Sequence, residues 1–287
     1  MSGNRALVTG GAGFIGSNLV DGLLARGDAV AVLDDLSTGN LENLGPAIQA
    51  GASVHRADVT DVDAVAKAFA TVRPTIVYHL AAQIDVRRAV ADPGHDARIN
   101  VLGTAVALEQ SVRSGVKRFV MASTGGAIYG DAAVIPTPET APALPLSPYA
   151  VSKAAAESYV EFYARDRGLS AFVLRLANVY GPRQDPRGEA GVISMFCAAA
   201  AAGHRPTVFG DGRQTRDFVY VGDVVDAFIA AGERAITGVC NVATGRETTI
   251  LDLAEALGLR PHFAPARAGE VQRSCLAPAL AAELLGW

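Results

Sequence analysis

A tyrosine and a lysine four residues apart are the first candidates for chemistry. Tyr149 and Lys153 form the pattern Y-x-x-x-K at the start of a segment with helical periodicity, and residues four apart share one face of a helix. An ammonium group beside a phenol stabilises the phenolate, so we expect the pKa of Tyr149 to lie below its usual value of about 10. Such a phenolate is a general base suited to a sugar or alcohol hydroxyl. Because the pattern alone is also common on solvated helix faces, its neighbours must support it.

A hydroxyl group at the end of a predicted strand is the third candidate. Thr124 follows the strand-like run Arg118–Ala122, in the sequence Ser123-Thr124-Gly125-Gly126. The carboxyl ends of parallel strands border the ligand crevice, so we expect the Thr124 hydroxyl to bind a substrate hydroxyl. Ser123 is the alternative, and a turn or capping role stays open for both.

A glycine-rich turn near the N-terminus predicts a phosphate-binding site. Gly10, Gly13 and Gly16 form G-x-x-G-x-x-G between a strand-like run, Ala6–Thr9, and a helix-like one, Phe14–Arg26. Glycine permits the tight turn, the approach of a pyrophosphate to bare backbone, and close packing of helix on strand. The free N–H groups of the helix N-terminus also favour phosphate. The turn therefore predicts a dinucleotide site.

Acidic residues after the next two strands indicate which dinucleotide binds. Asp34 ends the second strand-like run, 18 residues beyond Gly16. A carboxylate there accepts both ribose hydroxyls and repels a 2′-phosphate, which favours NAD over NADP. Asp35 is expected to cap the turn that follows. Asp58 is expected to reach the adenine, although it competes with Asp61 to cap the next helix.

Strand-like and helix-like segments alternate through the first 180 residues or so, which predicts an α/β fold with a parallel sheet covered on both faces. The predicted strands are Ala6–Thr9, Ala29–Leu33, Ser53–His55, Thr75–Leu80, Arg118–Ala122 and Ala171–Leu176. The predicted helices are Phe14–Arg26, Val62–Val72, Ala97–Ser114, Tyr149–Arg167 and, further on, Val221–Gly232.

Beyond residue 178 glycine and proline cluster and the elements become irregular. We therefore predict a Rossmann-type, doubly wound parallel sheet with a smaller, irregular α/β substrate-binding lobe. The predicted cofactor domain comprises residues 1–177 plus about 217–243. The predicted substrate lobe comprises residues 178–216 plus 244–287.

Composition excludes several other classes of protein. Half of the residues are hydrophobic and the net charge is −4, so neither a disordered chain nor a basic nucleic-acid-binding surface is expected. The longest nearly apolar stretch, Met195–Gly203, is far shorter than the roughly 20 residues of a membrane span. Three scattered cysteines and the lack of a leader-like N-terminus predict a cytoplasmic protein with no metal site.

Taken together, these motifs resemble those of the extended short-chain dehydrogenases/reductases, in the NAD-dependent sugar epimerase/dehydratase family. Within it, the pattern is most similar to bacterial UDP-glucose 4-epimerases, although that family usually continues past Trp287 with another helix. The resemblance rests on Thr9-Gly10-Gly11-Ala12-Gly13-Phe14-Ile15-Gly16, Leu33-Asp34-Asp35-Leu36, His79-Leu80-Ala81-Ala82, Ser123 to Gly130, Ser147-Pro148-Tyr149, Lys153, Asn178-Val179-Tyr180-Gly181-Pro182-Arg183 and Arg216 to Val221.

The resemblance implies a catalytic triad, a bound NAD and an epimerase reaction. The triad is Thr124, Tyr149 and Lys153. Related dehydratases carry an Asp-Glu pair after the triad hydroxyl and related decarboxylases a Glu, whereas this chain has Gly125 and Gly126. The implied cofactor-binding residues are Gly10, Gly13, Phe14, Ile15, Gly16, Asp34, Asp35, Asp58, Val59, Leu80, Ala81, Ala82, Gln83, Tyr149 and Lys153.

The resemblance also implies a UDP-sugar substrate held by the second lobe. We expect Arg216 and Arg267 to contact the diphosphate, Glu270 the uridine ribose, and the small Ser274 to leave room for an N-acetylhexosamine. Gln83 and Arg87 are expected to border the nicotinamide or the sugar, and Val208 and Phe209 the uracil. The predicted substrate-binding residues are Arg87, Thr124, Gly125, Asn178, Val192, Val208, Phe209, Arg216, Arg267, Glu270 and Ser274.

Two further expectations concern partners and alternatives. The segments Ala97–Ser114 and Tyr149–Arg167 pair two subunits in related proteins, so a homodimer is implied. Another NAD-linked sugar-nucleotide enzyme (a dehydratase, a decarboxylase or a reductase) stays open, as does a non-catalytic NAD-binding sensor, although a sensor needs no base. His79, at the end of a buried strand, is interpreted as structural.

Overall fold

The computed structural model of the chain describes residues 4–187, 191–266 and 271–287. The strands are β1 Arg5–Thr9, β2 Ala29–Asp34, β3 Ser53–Arg56, β4 Ile76–His79, β5 Arg118–Thr124, β6 Ala171–Leu176, β7 Asn178–Tyr180, β8 Thr207–Phe209, β9 Thr215–Arg216, β10 Phe218–Tyr220, β11 Gly238–Val242, β12 Thr248–Thr249 and β13 His262–Ala264. The α-helices are α1 Phe14–Ala25, α2 Gly45–Gln49, α3 Val62–Val72, α4 Val86–Ala91, α5 Pro93–Ala97, α6 Gly103–Arg113, α7 Gly125–Ile128, α8 Pro148–Asp166, α9 Val192–Ala201, α10 Val221–Glu233, α11 Ile250–Ala256 and α12 Ala279–Leu285. A 3₁₀ helix covers Leu41–Leu44 and a π-helical segment covers Arg98–Leu102.

The central sheet has seven parallel strands in the order β11-β6-β5-β4-β1-β2-β3. This confirms the predicted doubly wound α/β fold. Because the order reverses between β1 and β4, their carboxyl ends border the crevice where such folds bind ligands. Thr9 and His79 end these two strands and lie opposite each other in register. Thr124 ends β5 at the same edge of the sheet.

Two apolar layers cover the sheet, because its central strands are buried on both faces. One layer packs α1, α10 and α12 against it, with Leu19 and Phe228 fully buried. The other packs α3, α6 and α8, with Phe69, Leu108 and Val160 buried. Burying a side chain of this kind stabilises the fold by about 1.5–3 kcal/mol relative to exposing it. The packing fixes the strand ends that carry the site.

The structure changes two predicted boundaries beside the site. Strand β5 runs two residues further than predicted and includes Thr124, and α7 follows at once. The single helix predicted over Ala97–Ser114 is instead α5, the π-helical segment and α6 in succession. Its π turn places Asn100 in the interior, where the Asn100 Nδ2 atom donates to the Gln83 carbonyl at 2.9 Å.

Short strand pairs build the second half of the molecule. Strand β7 pairs with β10, β9 with β12 and β8 with β13. A small separate core surrounds Phe196, Val208 and Ile250. The irregular character predicted from the glycine and proline clusters is therefore present as two- and three-residue strands joined by turns.

Candidate active site

The three triad candidates meet where β5 and α8 adjoin. Helix α8 begins at Pro148, and the Ser147 hydroxyl caps it by accepting from the Ala150 N–H at 3.2 Å. That start places Tyr149 in the first turn, where its phenol shares a hydrogen bond with the Thr124 hydroxyl. One turn later, Lys153 Nζ donates to the Ala122 carbonyl at 2.7 Å. Strand end and helix start thus bring together a hydroxyl, a phenol and an ammonium group.

The neighbouring hydroxyl of Ser123 serves a different set of groups. Ser123 Oγ donates to Glu157, which also pairs with Arg175 through two guanidinium nitrogens. Arg175 reaches on to the Tyr129 hydroxyl at 2.8 Å. Since Ser123 is committed to this network, the geometry favours Thr124 as the hydroxyl of the triad.

The expected low pKa of Tyr149 is wrong for this structure. Burial raises the pKa of Tyr149 to about 12, the hydrogen bond from Thr124 opposes that rise, and the charge of Asp96 adds to it. Burial also lowers the pKa of Lys153 to about 8, although the charges of Glu157 and Asp96 act in the opposite direction. Desolvation disfavours the charged form of each group, and the spacing Y-x-x-x-K carries no information about burial.

The glycine turn leaves no room for side chains at two of its three glycines. Gly10 has a φ of +70°, and a Cβ atom there would lie 2.6 Å from the Ala81 nitrogen. A Cβ atom at Gly16 would lie 2.2 Å from the Gly10 carbonyl oxygen. Gly13 is the N-cap of α1 and has no side-chain cap, and Phe14 and Ile15 open that helix. A bare cradle at a helix N-terminus fits the pyrophosphate of a dinucleotide.

The two adjacent acidic residues Asp34 and Asp35 have different hydrogen-bond partners. Asp34 is buried at the end of β2, where its carboxylate accepts from the Ala12 and Leu36 N–H groups, both at 2.9 Å. This ties Asp34 to the glycine turn, and burial raises its pKa. Asp35 instead accepts from the Ser37 N–H and hydroxyl, and so caps the next turn. One carboxylate faces the cradle and the other closes a loop.

The segment after β3 lies beside that cradle. Asp34 is paired in register with Arg56, the last residue of β3, so Asp58 and Val59 follow closely. Asp61 caps α3, whereas Asp58 accepts from the Thr60 N–H at 2.8 Å. The helix-capping role weighed for Asp58 therefore belongs to Asp61.

The residues after β4 line the other side of the cradle. The Leu80 and Ala81 N–H groups donate to the carbonyl and the hydroxyl of Thr9, and Ala82 follows them. Gln83 is buried, and its Nε2 atom donates to Asp96 at 2.9 Å, so its amide is held inside the protein. Arg87 lies on the exposed α4, with its Nε atom 4.0 Å from Asp85.

Asn178 and the paired glycines form the candidate sugar pocket. The Asn178 Oδ1 atom is buried and has no partner within the described residues, so it offers an acceptor to a ligand. It lies 3.7 Å from where a Cβ atom of Gly126 would stand. A Cβ atom at Gly125, in contrast, would lie 2.2 Å from Leu276 Cδ1. Neither position carries a side chain that can act as an acid or base.

The remaining described substrate candidates lie on or beside the short strands and helices of the second half of the chain. Arg216 Nη1 donates to the Thr215 carbonyl at 2.7 Å, and the Ser274 N–H donates to that same carbonyl at 3.3 Å. Val192 opens α9, Val208 is buried in β8, and Phe209 ends that strand. Arg267 and Glu270 lie outside the described residues. The structure thus brings Arg216 and Ser274 together around Thr215.

Asp217 is a buried organising residue that the sequence analysis missed. Its carboxylate accepts from the N–H and hydroxyl of Thr244 at 2.9 and 2.6 Å, and from the Gly245 N–H at 3.0 Å. It also accepts from the Leu276 N–H at 3.3 Å. Its position in the motif Arg216-Asp217-Phe218 was the available signal.

His79 is structural, as predicted. Its Nδ1 and Nε2 atoms pair with the Thr9 and Thr104 hydroxyls at 2.8 and 3.0 Å, and burial lowers its pKa to about 3. Within residues 4–187, 191–266 and 271–287 there is no cluster of three or more His, Cys, Asp or Glu side chains able to hold a metal ion. The same residues include no helix long and apolar enough to span a membrane.

The fold and this site indicate a dinucleotide-binding enzyme, and comparison with known proteins identifies its family. Residues 6–243 match the model of the NAD dependent epimerase/dehydratase family, and the chain belongs to that family.

Three of the similar proteins are UDP-glucose 4-epimerases. The one from Mycolicibacterium smegmatis is 47% identical over 99% of this chain and 93% of its own. A crystal structure with UDP-glucose from Thermotoga maritima is 46% identical over 98% of this chain and 92% of that one, with a TM-score of 0.93. A Thermus thermophilus enzyme crystallised with NAD is 45% identical over 97% of this chain and 92% of that one, with a TM-score of 0.90.

Proposed function

We propose that this protein is an NAD-dependent UDP-hexose 4-epimerase that interconverts UDP-glucose and UDP-galactose. The observation that carries the proposal is the hydrogen-bonded pair of Thr124 and Tyr149, with Lys153 one helical turn away. Thr124 ends β5 at the same edge of the sheet at which β1 leads into the glycine cradle. Similarity to UDP-glucose 4-epimerases over almost the whole chain supports this substrate class.

The residues of the cradle and crevice fit NAD. Gly10, Gly13 and Gly16 leave backbone exposed to a pyrophosphate, and Asp34 suits an unphosphorylated ribose. Phe14, Ile15, Asp58, Val59, Leu80, Ala81 and Ala82 complete the proposed cofactor surface. When bound, NAD supplies the hydride acceptor and donor of the reaction.

The side chains of the site are proposed to remove and return the proton of the sugar C4 hydroxyl. Tyr149 takes the C4 hydroxyl proton as the C4 hydride leaves, which gives a 4-keto sugar. Thr124 donates a hydrogen bond to the phenolate oxygen. Lys153 follows one helical turn later, and its ammonium group is proposed to stabilise the negative charge. Once the 4-keto sugar has rotated about its phosphate link, hydride returns to the opposite face of C4 and Tyr149 returns the proton to the C4 oxygen, which gives the epimer. Tyr149 is therefore again a phenolate at the end of each cycle, ready to take the next proton.

Elimination of water is disfavoured by the same geometry. A dehydratase needs an additional acid and base, and positions 125 and 126 are both glycine. Leu276 fills the space that a side chain at position 125 would need. The turn therefore supports hydride removal and return without elimination.

The second lobe is proposed to hold the UDP moiety. Arg216 supplies a guanidinium group for the diphosphate, and the unpaired Asn178 acceptor faces the sugar. Ser274 is small, and we infer that UDP-N-acetylhexosamines also enter the pocket. The division into a cofactor domain (residues 1–177 and about 217–243) and a substrate lobe forms part of the proposal.

The direct test is conversion of UDP-glucose without added cofactor. Purified protein is incubated with UDP-glucose, and the sugar nucleotides are separated by chromatography. UDP-galactose is expected with no net NADH. A 4-keto-6-deoxy product would instead indicate the dehydratase alternative. In parallel incubations, loss of CO₂ from added UDP-glucuronate would indicate a decarboxylase, and stoichiometric consumption of added NADPH a reductase. Turnover of UDP-glucose but not UDP-GlcNAc would exclude the wider substrate range.

A matched pair of tyrosine variants assigns the base. Tyr149→Phe is expected to lower kcat by about 10²–10⁴-fold, because it removes general-base catalysis and leaves binding in place. Tyr163→Phe, on the same helix, removes only a 3.0 Å hydrogen bond to Glu109 and should leave kcat unchanged. Equal activity of the two variants would refute the assignment of Tyr149.

We also propose that the protein is a cytoplasmic homodimer. Helix α8 exposes Val151, Tyr159 and Phe162, and Val90 and Leu102 are exposed on adjoining segments. A second copy of this helix layer is the proposed occupant, because related proteins pair through these helices. Light scattering after size exclusion should give twice the chain mass of 29.6 kDa. The three cysteines are free thiols, which suits a reducing compartment.

A further inference from the structure

A buried polar cluster lies beneath the start of α8, beside the triad. Asp96 and Asn100 are each 1% exposed, and Gln83 and Ser152 are also buried. Asp96 belongs to α5, Asn100 to the π-helical segment and Ser152 to α8. Burying a carboxylate costs free energy unless hydrogen bonds satisfy it, so such a placement beside a catalytic site calls for a reason.

Three donors from three different elements converge on this one carboxylate. Asp96 Oδ1 accepts from Gln83 Nε2 at 2.9 Å and from Asn100 Nδ2 at 3.1 Å. Asp96 Oδ2 accepts from the Ser152 hydroxyl. Ser152 lies between Tyr149 and Lys153 in the first turns of α8, so this contact fixes the part of the helix that carries both.

The two carboxylates near the triad, Asp96 and Glu157, differ in whether a positively charged partner offsets their charge. Glu157 is paired with the Arg175 guanidinium at 2.6 Å, which offsets its charge. The three hydrogen-bond partners of Asp96 named above are neutral. The charge of Asp96 therefore acts on the reacting groups with less compensation, and it raises the pKa of both Tyr149 and Lys153.

We infer that Asp96 is a positioning residue for epimerisation: it anchors the turn between Tyr149 and Lys153 through Ser152 and holds a buried negative charge beside both. The inference rests on the proposed function. The charge favours the ammonium form of Lys153 in a site where burial opposes it, and it makes the Tyr149 phenolate a stronger base toward the C4 hydroxyl.

The other charged and titratable groups around this pair have defined places. Glu157 lies on α8 itself and Arg175 on β6, where they neutralise each other. His79 on β4 feels the charge of Lys153 but is held neutral by burial. Replacing Glu157 would leave the Arg175 guanidinium without its carboxylate partner, whereas Asp96→Asn removes a charge whose named hydrogen-bond partners are neutral.

The test compares the dependence of kcat on pH for Asp96→Asn and wild type. The acid limb, set by Tyr149, should move to lower pH by about one unit, because repulsion of the phenolate is removed. Asp92→Asn is the matched control: Asp92 caps the same helix by accepting from the His95 N–H and is exposed, so its profile should match wild type. An Asp96→Asn profile that coincides with wild type after scaling would overturn the inference.

A second variant separates the anchor from the charge. Ser152→Ala keeps the Asp96 carboxylate but removes its contact with α8, so we expect kcat to fall about tenfold with KM and the pH profile nearly unchanged. If Asp96→Asn does not fold, unchanged kcat in Ser152→Ala overturns the inference by itself.

A measurement without turnover separates this inference from the proposed function. Titration of carbon-13-labelled tyrosine, with Tyr149 assigned by its loss in Tyr149→Phe, should show Tyr149 titrating at lower pH in Asp96→Asn than in wild type. If wild type converts no sugar nucleotide but Tyr149 still titrates at lower pH in Asp96→Asn than in wild type, only the proposed function is contradicted. Conversion without the shift would contradict the role of Asp96 alone.

Discussion

On the cofactor side, the seven consecutive residues from Gly10 to Gly16 form the phosphate-binding turn, whereas on the sugar side the surroundings of Arg216 come from three distant stretches of chain. At Gly16 the constraint is that a Cβ atom would meet the backbone of Gly10 and Gly11 in the same turn. Around Asp217, one buried carboxylate joins Thr244, Gly245 and Leu276, up to 59 residues away. The comparison shows that the phosphate-binding turn of the cofactor side is specified by local sequence, whereas the sugar side is specified by long-range polar contacts. The two sides should therefore fail independently.

The largest expected effect is on the cofactor side. Gly16→Ala places a Cβ atom 2.2 Å from the Gly10 carbonyl oxygen, and backbone on both sides prevents relief. We expect about 3 kcal/mol or more of lost stability and no bound NAD after purification. Urea unfolding and the NAD released on denaturation measure both. Gly45→Ala, with nothing within 4 Å of its Cβ, is the control and should retain NAD. A Gly16→Ala enzyme with full NAD content would contradict the steric argument.

Asp217→Asn tests the sugar side alone. The amide cannot accept from all the donors that converge on Asp217, so we expect about 3 kcal/mol of destabilisation. UDP binding measured by calorimetry should fall sharply, while NAD content stays near that of wild type. Asp252→Asn, at the exposed capping box of α11, should cost about 1 kcal/mol or less and keep UDP affinity. Equal loss of NAD and UDP in Asp217→Asn would show that the two sides are not independent.

Gly125 and Gly126, between the cofactor side and the sugar side, test how crowded the turn after Thr124 is. Gly125→Ala should cost about 1–3 kcal/mol, because its Cβ meets the Leu276 side chain at 2.2 Å. Combining it with Leu276→Ala should cost less than the sum of the two single changes. Gly126→Ala has its nearest atom, Asn178 Oδ1, at 3.7 Å and should leave stability unchanged while raising KM for the sugar nucleotide. If the two losses of stability simply add in the double variant, the assigned contact between position 125 and Leu276 is wrong.

The smallest expected effect depends on pH. Glu247 accepts hydrogen bonds from Arg273 and Thr215, which lower its pKa to about 2. Its contribution to stability is thus complete above about pH 4.5 and is lost as pH falls toward 2. Because Arg273 is largely exposed, Glu247→Gln should cost about 0.5–1 kcal/mol at pH 7. The difference in urea unfolding between this variant and wild type should narrow on acidification, and a constant difference would contradict the assignment.

The sheet was predictable because buried parallel strands are short, continuous apolar runs. Five of the six predicted strands agree with the structure to within one residue at each end, and β5 extends two residues further to include Thr124. The break between α5 and α6 was not predictable, since the π turn at Asn100 is stabilised by contacts with Gln83, which is distant in sequence.

The site was predictable where a motif fixes backbone and not where burial decides. The glycine turn and the pairing of Thr124 with Tyr149 follow from short patterns. The pKa of Tyr149 was mispredicted, because its desolvation depends on packing that the spacing does not encode. Asp96 looks like an ordinary surface acid in the sequence, and the motif around Asp217 does not reveal that its carboxylate is buried. Only the fold shows that each is buried and holds several donors.

Hydride removal from C4 and its return is the central claim, and an isotope label at that atom tests it most directly. UDP-glucose carrying deuterium at C4 is incubated with the enzyme in ordinary water, and the UDP-galactose formed is analysed by mass spectrometry and NMR. The account predicts that deuterium remains at C4 of the product, because the same hydride leaves and returns within one bound cofactor. Loss of deuterium to water would contradict it and indicate proton abstraction from carbon instead.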